Sequence, residues 1–257
     1  MFHSEDFEII DFHVHPFERK ENYVAPFKTA MSMDEFDCKM RSSGVDFYAG
    51  NVIGTLRDFA AVRDLNRTAL RLRDRYANYI PGIHVHGDFP EESCAELHEM
   101  KSHGVKLIGE LVPSLGGGAF NTAGMLTIFR EAAKLNMPVS LHNVTPEEAE
   151  FLAANLPELT IVFAHPGDYY GDWGSVARMK FISQHPNMYM DLSGTGLFRW
   201  GFLRHFIDLY GAEKLLFGSD MPCCNIGMYV NGVLTEDLTE DELRLVFSGN
   251  ARRILGM

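Results

Sequence analysis

The stretch Phe7-Glu8-Ile9-Ile10-Asp11-Phe12-His13-Val14-His15-Pro16 decides the fold and points at the chemistry. Its apolar part, 7–12, reads as a buried strand. Residues two apart on a strand project to the same side, so His13 and His15 stand together at its end. Two imidazoles on one side are half of a metal site. The plain alternative is a pair of hydrogen-bonded histidines in the surface or core, and the pair alone does not decide between the two. The same position bears on topology. An open, doubly wound sheet would want a glycine fingerprint after its first strand, where this chain has His13-Val14-His15-Pro16.

Further along, strand-like runs alternate with helical ones. After the first come runs at 45–50, 79–85, 105–109, 138–142, 159–165, 188–192 and 214–218. Between them the clearest helix is 58–77, where Val62, Leu65, Ala69, Leu72 and Tyr76 recur at three- and four-residue steps. Ser32, Thr145 and Thr239 stand where helix N-caps belong, and Glu242 completes a capping-box pattern with Thr239. Most strand-like runs are apolar on both faces, as in a parallel sheet covered on both sides. Eight such units predict an α/β fold, a (β/α)8 TIM barrel, formed as a single domain over residues 1–257.

The totals narrow the function. With 46% hydrophobic residues in 257, the chain can bury a sizeable core. A formal net charge of −12 leaves no basic field for nucleic acid. No stretch is apolar enough for a membrane span, and residues 1–6 lack the basic and apolar parts of a signal peptide. The cysteines, Cys38, Cys94, Cys223 and Cys224, show no disulfide framework or CxxC spacing, so reduced thiols and a cytoplasmic location are expected. The expected partners are a small-molecule substrate and, as the commonest oligomer, a second copy in a homodimer.

A barrel of this kind carries its site at the C-terminal ends of the strands. Strand one ends in His13 and His15, strand four in Glu110, strand five in His142, strand six in His165 and strand eight in Asp220. Each has a plain reading: His142 and His165 as buried core histidines, Glu110 as a cap or an arginine partner, Asp220 as a turn residue in Ser219-Asp220-Met221-Pro222. Six nitrogen and oxygen donors at equivalent ends of five strands weaken those readings together and predict a metal site without thiolate.

With these residues in view, the chain resembles the amidohydrolase superfamily, and more narrowly its amidohydrolase-related branch of metal-dependent hydrolases and decarboxylases. The resemblance rests on Asp11-Phe12-His13-Val14-His15, His142, Phe163-Ala164-His165-Pro166-Gly167, Leu216-Phe217-Gly218-Ser219-Asp220-Met221-Pro222 and Gly249-Asn250-Ala251-Arg252-Arg253-Ile254-Leu255. It implies that His13, His15, His142 and Asp220 are metal ligands. It implies that His165 binds a second metal or acts on substrate or water, with Asp220 and His165 as the catalytic pair. Many two-metal members use a carboxylated lysine on strand four. Glu110 stands there instead, so the chain looks more like members, such as the TatD-type nucleases, that bridge two metals with a glutamate; Glu110 behind a single metal is the alternative. One or two divalent ions are implied, zinc first, with manganese or iron as alternatives. A zinc-type ion lowers the pKa of bound water to about 7, and Asp220 would accept the proton. The expected reaction is hydrolysis of an ester, lactone or amide of a small molecule. The alternative is decarboxylation of an unsaturated carboxylic acid, which the same branch performs. Phosphodiester hydrolysis is disfavoured without a basic stripe, and a protein holding metal for structure alone is the non-enzymatic reading.

Other features are secondary. His84-Val85-His86 repeats the HxH spacing and reads as pocket lining or core. Cys223 and Cys224 read as reduced loop thiols, and Asp191 and Ser193 as pocket lining. Arg57 and Arg199, at helix starts, are candidates for binding a substrate carboxylate, with ordinary exposed arginines as the alternative. Trp173, with Tyr169 and Tyr170, is a candidate for substrate binding, a lid or an oligomer contact. The polar stretch 16–30 and the Gly-rich 113–118 read as loops over the site.

Overall fold

The helices begin where side chains can satisfy their first free N–H groups. Ser32 accepts from the Glu35 N–H while Glu35 returns the bond to the Ser32 N–H, which starts α1 (Met33–Ser42). The same reciprocal bond joins Thr145 to Glu148 at the start of the helix Pro146–Asn155 and Thr239 to Glu242 at the start of the helix Glu240–Arg244. The computed structural model describes residues 2–28, 30–169, 171–196 and 199–257. The strands are β1 (Ile10–Val14), β2 (Phe47–Gly50), β3 (Tyr79–Ile83), β4 (Leu107–Leu111), β5 (Val139–Leu141), β6 (Ile161–Phe163), β7 (Met188–Asp191) and β8 (Leu215–Leu216). Between and after them run α1, α2 (Phe59–Arg75), α3 (Pro90–Ser102), α4 (Ala123–Lys134), α5 (Pro146–Asn155), α6 (Ser175–Ser183), α7 (Phe202–Tyr210), α8 (Ile226–Leu234), α9 (Glu240–Arg244) and α10 (Asn250–Leu255).

All neighbouring strands pair in parallel, in the order β1 to β8. The chain after β8 returns to β1: the Phe12 N–H donates to the Phe217 carbonyl, and the Asp220 N–H to the His13 carbonyl. The result is a single-domain (β/α)8 TIM barrel, as the alternation predicts. Two ladders carry a register shift, β1–β2 between Asp11 and Val14 and β4–β5 between Ile108 and Leu111. Those breaks bracket His13 and Glu110, and an irregular ladder re-aims the side chains within it.

The core has two layers. Most buried residues lie between strands and helices. A smaller cluster, with Ile10, Phe12, Leu107, Val162 and Leu216, packs with Ala251 and Leu255 of α10. Phe12 is 1% exposed, so Phe12→Ala would cost about 3–5 kcal/mol. Among the described residues no helix is long and apolar enough to cross a membrane.

Two details differ from the sequence reading. The helix α8 is absent from it, because Gly227, Gly232 and two valines make the segment a poor helix former. Burial of Ile226, Tyr229, Val230 and Val233, with the Asn225 side chain capping the Gly227 N–H, outweighs that propensity. The helix expected from Arg199 starts at Phe202 instead, because Gly201 turns left-handed at φ 80° ahead of it.

Candidate metal centre

His13 and His15 extend from β1 with their Nε2 atoms 3.2 Å apart. The opposite ring nitrogens determine what those atoms carry. His13 Nδ1 lies 2.9 Å from Asp191 Oδ2, a carboxylate that can only accept. His15 Nδ1 lies 3.3 Å from the Asn51 carbonyl, which likewise only accepts. Both Nδ1 atoms therefore hold a proton, and in the neutral rings, the form that binds a metal, both Nε2 atoms turn lone pairs toward one another. Glu110 Oε2 stands 3.4 Å from the first and 3.5 Å from the second, and Asp220 Oδ1 is 3.3 Å from His15 Nε2. Lone pairs and carboxylate oxygens converging on one point repel unless a cation sits among them, so this donor set fits a divalent metal.

Glu110 faces a second group with its other oxygen. Glu110 Oε1 lies 2.6 Å from His142 Nδ1 and 3.2 Å from His165 Nε2, and the two ring nitrogens are 3.1 Å apart. The structure thus brings all six sequence-predicted donors together. They fall into two groups that share Glu110, with His13, His15 and Asp220 on one side and His142 and His165 on the other.

Behind the rings lies a network that the sequence reading placed in the pocket lining. Asp191 and Ser193 are fully buried. The Ser193 hydroxyl donates to Asp191 Oδ1 and stands 2.9 Å from His165 Nδ1, whose proton it accepts. One carboxylate thus orients His13 directly and His165 through a hydroxyl. A third close group, His13, His165 and Asp191, is this hydrogen-bonded network, since it uses the Nδ1 sides of the rings. The space is kept by glycines: a Cβ on Gly194 would meet His165 Nδ1 at 2.4 Å, and one on Gly218 would meet His13 Cβ at 3.0 Å. His165 and Asp220 themselves sit at φ 65° and 62°. That left-handed backbone costs a non-glycine residue about 1–2 kcal/mol, and such outliers cluster at functional sites.

The electrostatics agree. Burial pushes the Glu110 carboxyl up, but His13, His142 and His15 outweigh it and hold Glu110 well below the usual range. Burial is likewise outweighed at Asp191 by His13 and at Asp220 by His15. Against the same burial, Asp191 and Glu110 lift His13 well above its ordinary value, and Asp220 and Glu110 lift His15 to about 9. Ionised carboxylates without a lysine or arginine partner demand positive charge, which either ring protons or a metal ion can provide.

Asp11, fully buried, ties the two ligand-bearing ends together. Its Oδ1 accepts from the N–H groups of His13 and Ser219, while burial pushes its carboxyl up to about 7. The Asn51 side chain donates to the Glu110 carbonyl at 2.7 Å, and Arg178 donates to the His165 carbonyl at 3.1 Å. No spacing signal in the sequence marks Asn51 or Arg178.

The remaining candidates lie outside the two donor groups. His84 and His86 are buried in bonds of their own, His84 to the Val52 carbonyl and His86 to Ser93 and Gly117, in keeping with a core role. Trp173 spends its indole N–H on the Val144 carbonyl at 2.7 Å, so it braces two loops. Arg199 lies over the Tyr169 ring at 5.6 Å, and Arg57 is exposed just ahead of the Asp58 cap of α2. Tyr170 falls outside the described residues.

The amidohydrolase family profile matches residues 10–257, nearly the whole chain. The chain belongs to the amidohydrolase family. No curated protein matches it in sequence. Among solved structures, this amidohydrolase is similar to 2,6-dihydroxybenzoate decarboxylase from Rhizobium, with a TM-score of 0.73, 17% identity, and coverage of 97% of this chain and 99% of that one. It is similar to 5-carboxyvanillate decarboxylase from Novosphingobium aromaticivorans, complexed with manganese and 4-hydroxy-3-methoxy-5-nitrobenzoic acid, at TM-score 0.68, 16% identity, and 86% and 79% coverage. It is also similar to a probable 2-pyrone-4,6-dicarboxylic acid hydrolase from Acinetobacter baumannii with citric acid bound, at TM-score 0.71, 17% identity, and 98% and 100% coverage. The family is metal-dependent, in keeping with the buried histidine and carboxylate groups. At these identities the similarities show the shared barrel fold, and the three structures include two decarboxylases and one probable hydrolase.

Proposed function

We propose that this chain is a metal-dependent decarboxylase of a small unsaturated carboxylic acid. The observation that carries the reading is the convergence of the His13 and His15 Nε2 lone pairs with Glu110 and Asp220 in a pocket where the carboxylates lack other counter-charge. The similarity to two decarboxylases, one holding manganese, supports this reaction among those the family performs. A divalent ion at these donors, whether zinc, manganese or iron, would supply a Lewis acid that holds substrate oxygens and spreads negative charge.

The chain's own groups do the rest. Loss of carbon dioxide leaves an electron pair on the carbon that carried it, and that carbon must take a proton. Asp220, 15% exposed beside nearly buried histidines, and His165 are the proposed proton carriers. Asp191 and Ser193 hold His13 and His165 with Nε2 turned toward the ion's position. Arg57 and Arg199 remain the proposed grips for a substrate carboxylate.

A second reading, hydrolysis of an ester, lactone or amide, is favoured by Glu110, whose two oxygens face two donor groups as a two-ion site would require. The test is a screen of metal-loaded protein over unsaturated and hydroxyaromatic acids, lactones, esters and amides. Carbon dioxide released in step with substrate loss supports decarboxylation. Turnover without it, with oxygen from labelled water in the product, overturns decarboxylation in favour of hydrolysis.

A further inference from the structure

The end of the barrel opposite the metal centre holds a cavity of about 520 Å³. It lies where Pro138 leads into β5 and Thr160 leads into β6, and the end of α10 forms another wall. Three cations line it, Lys101, Lys106 and Arg253, with a single carboxylate, Glu158. This is a local positive excess in a chain of net charge −12.

Around the helices, several arginines, among them Arg19, Arg63, Arg244 and Arg252, are paired with carboxylates. At the cavity, among the described residues, none of the three is ion-paired with a carboxylate. Arg253 donates to the Tyr189 hydroxyl at 2.9 Å and to the Glu213 carbonyl and Asn250 Oδ1, all neutral groups. Lys106 donates to the Gly256 carbonyl at 2.8 Å, and Lys101 has no partner among the described residues. A fourth cation, Lys214, shares the Tyr189 ring with Arg253, at 4.9 and 5.2 Å from its centre. Three cations around one cavity with a single carboxylate make a local positive field that suits a ligand carrying negative charge.

We propose that this cavity binds a small multivalent oxyanion, a phosphate or a dicarboxylate, at a site separate from the metal centre. Its guanidinium and ammonium donors suit an acceptor with several oxygens. The occupant would tie α10 to the N-terminal ends of β5 and β6, so binding would also raise thermal stability.

The test is equilibrium dialysis of metal-loaded protein against inorganic phosphate and, separately, malonate, at constant ionic strength. The variants are Lys101→Glu and Glu158→Gln, whose side chains are not buried in the core, with the thermal midpoint in chloride checking that each is folded. Saturable binding of either probe, weakened by about tenfold in Lys101→Glu and tightened in Glu158→Gln with metal content unchanged, is the expected result. The tighter probe then tells a phosphate site from a dicarboxylate site. Binding that neither variant moves would belong to the metal centre and would overturn the proposal, as would no binding of either probe at millimolar concentration.

Discussion

At the C-terminal ends of β5 and β6 stand His142 and His165, facing the buried carboxylate of Glu110; at the N-terminal ends of the same strands lie Pro138 and Thr160, beside Lys101, Lys106 and Arg253. One mouth holds carboxylates whose ion partners are histidines alone, the other three cations and a single carboxylate, Glu158, with Arg253 and Lys106 hydrogen-bonded to neutral groups. Between them, the helices carry ordinary surface ion pairs, each worth at most about 1 kcal/mol. The contrast teaches that net charge does not locate a site in this protein. Buried carboxylates matched only by histidines mark the proposed metal centre, because a buried charge needs something to complete the balance.

The metal-side mouth can be broken most severely by its ligands. His13→Ala or Asp220→Asn should lower turnover by about a thousandfold or more while circular dichroism stays native, and metal analysis should show the loss. Retained activity would remove the proposed centre and leave the two mouths without a functional contrast. Next comes the shared carboxylate. Glu110→Gln should reduce bound metal from two ions to one per chain if Glu110 bridges, whereas unchanged stoichiometry would place it behind a single ion.

The network behind the rings should yield a smaller effect. Ser193→Ala removes the acceptor of the His165 Nδ1 proton, and a lost partner of this kind typically costs about 10–100-fold in metal affinity. The loss should be greater than in a Lys101→Ala control at the other mouth; equal values would show that Ser193 merely packs. The mildest test is acid. Burial holds His84 down to about 4 from an ordinary 6.5, so it stays neutral in the folded protein while the unfolded chain gains a proton. Its contribution is therefore complete above pH 6.5 and fades as pH falls toward 4, by up to about 3 kcal/mol. Urea titrations of wild type and His84→Gln across that window should converge on the acid side; parallel curves would mean His84 is not the group responsible.

Much of the barrel was legible because its signals are local. The periodicity around Val62 and Leu65 and the caps at Ser32, Thr145 and Thr239 act within a few residues, and the structure keeps all of them. α8 was missed for the same reason: Gly227 and Gly232 disfavour a helix locally, and only burial against the rest of the chain reverses that. The donors were legible as a set because strand ends share one rim, but Asp191 and Ser193 were misplaced. A residue two positions along a strand can line a pocket or back a ligand, and the distinction depends on what the first strand puts in front of it.

By itself, then, the sequence determined the alternation of strands and helices, the rim of six donors and the family, since all follow from residue order and local pattern. Only the tertiary structure decided that Glu110 faces both ways, that Asp191 reaches His13 directly and His165 through Ser193, and that Lys101, Lys106 and Arg253 meet around one cavity. Those relations join residues far apart in the chain, and closure of the barrel is what brings them within bonding distance.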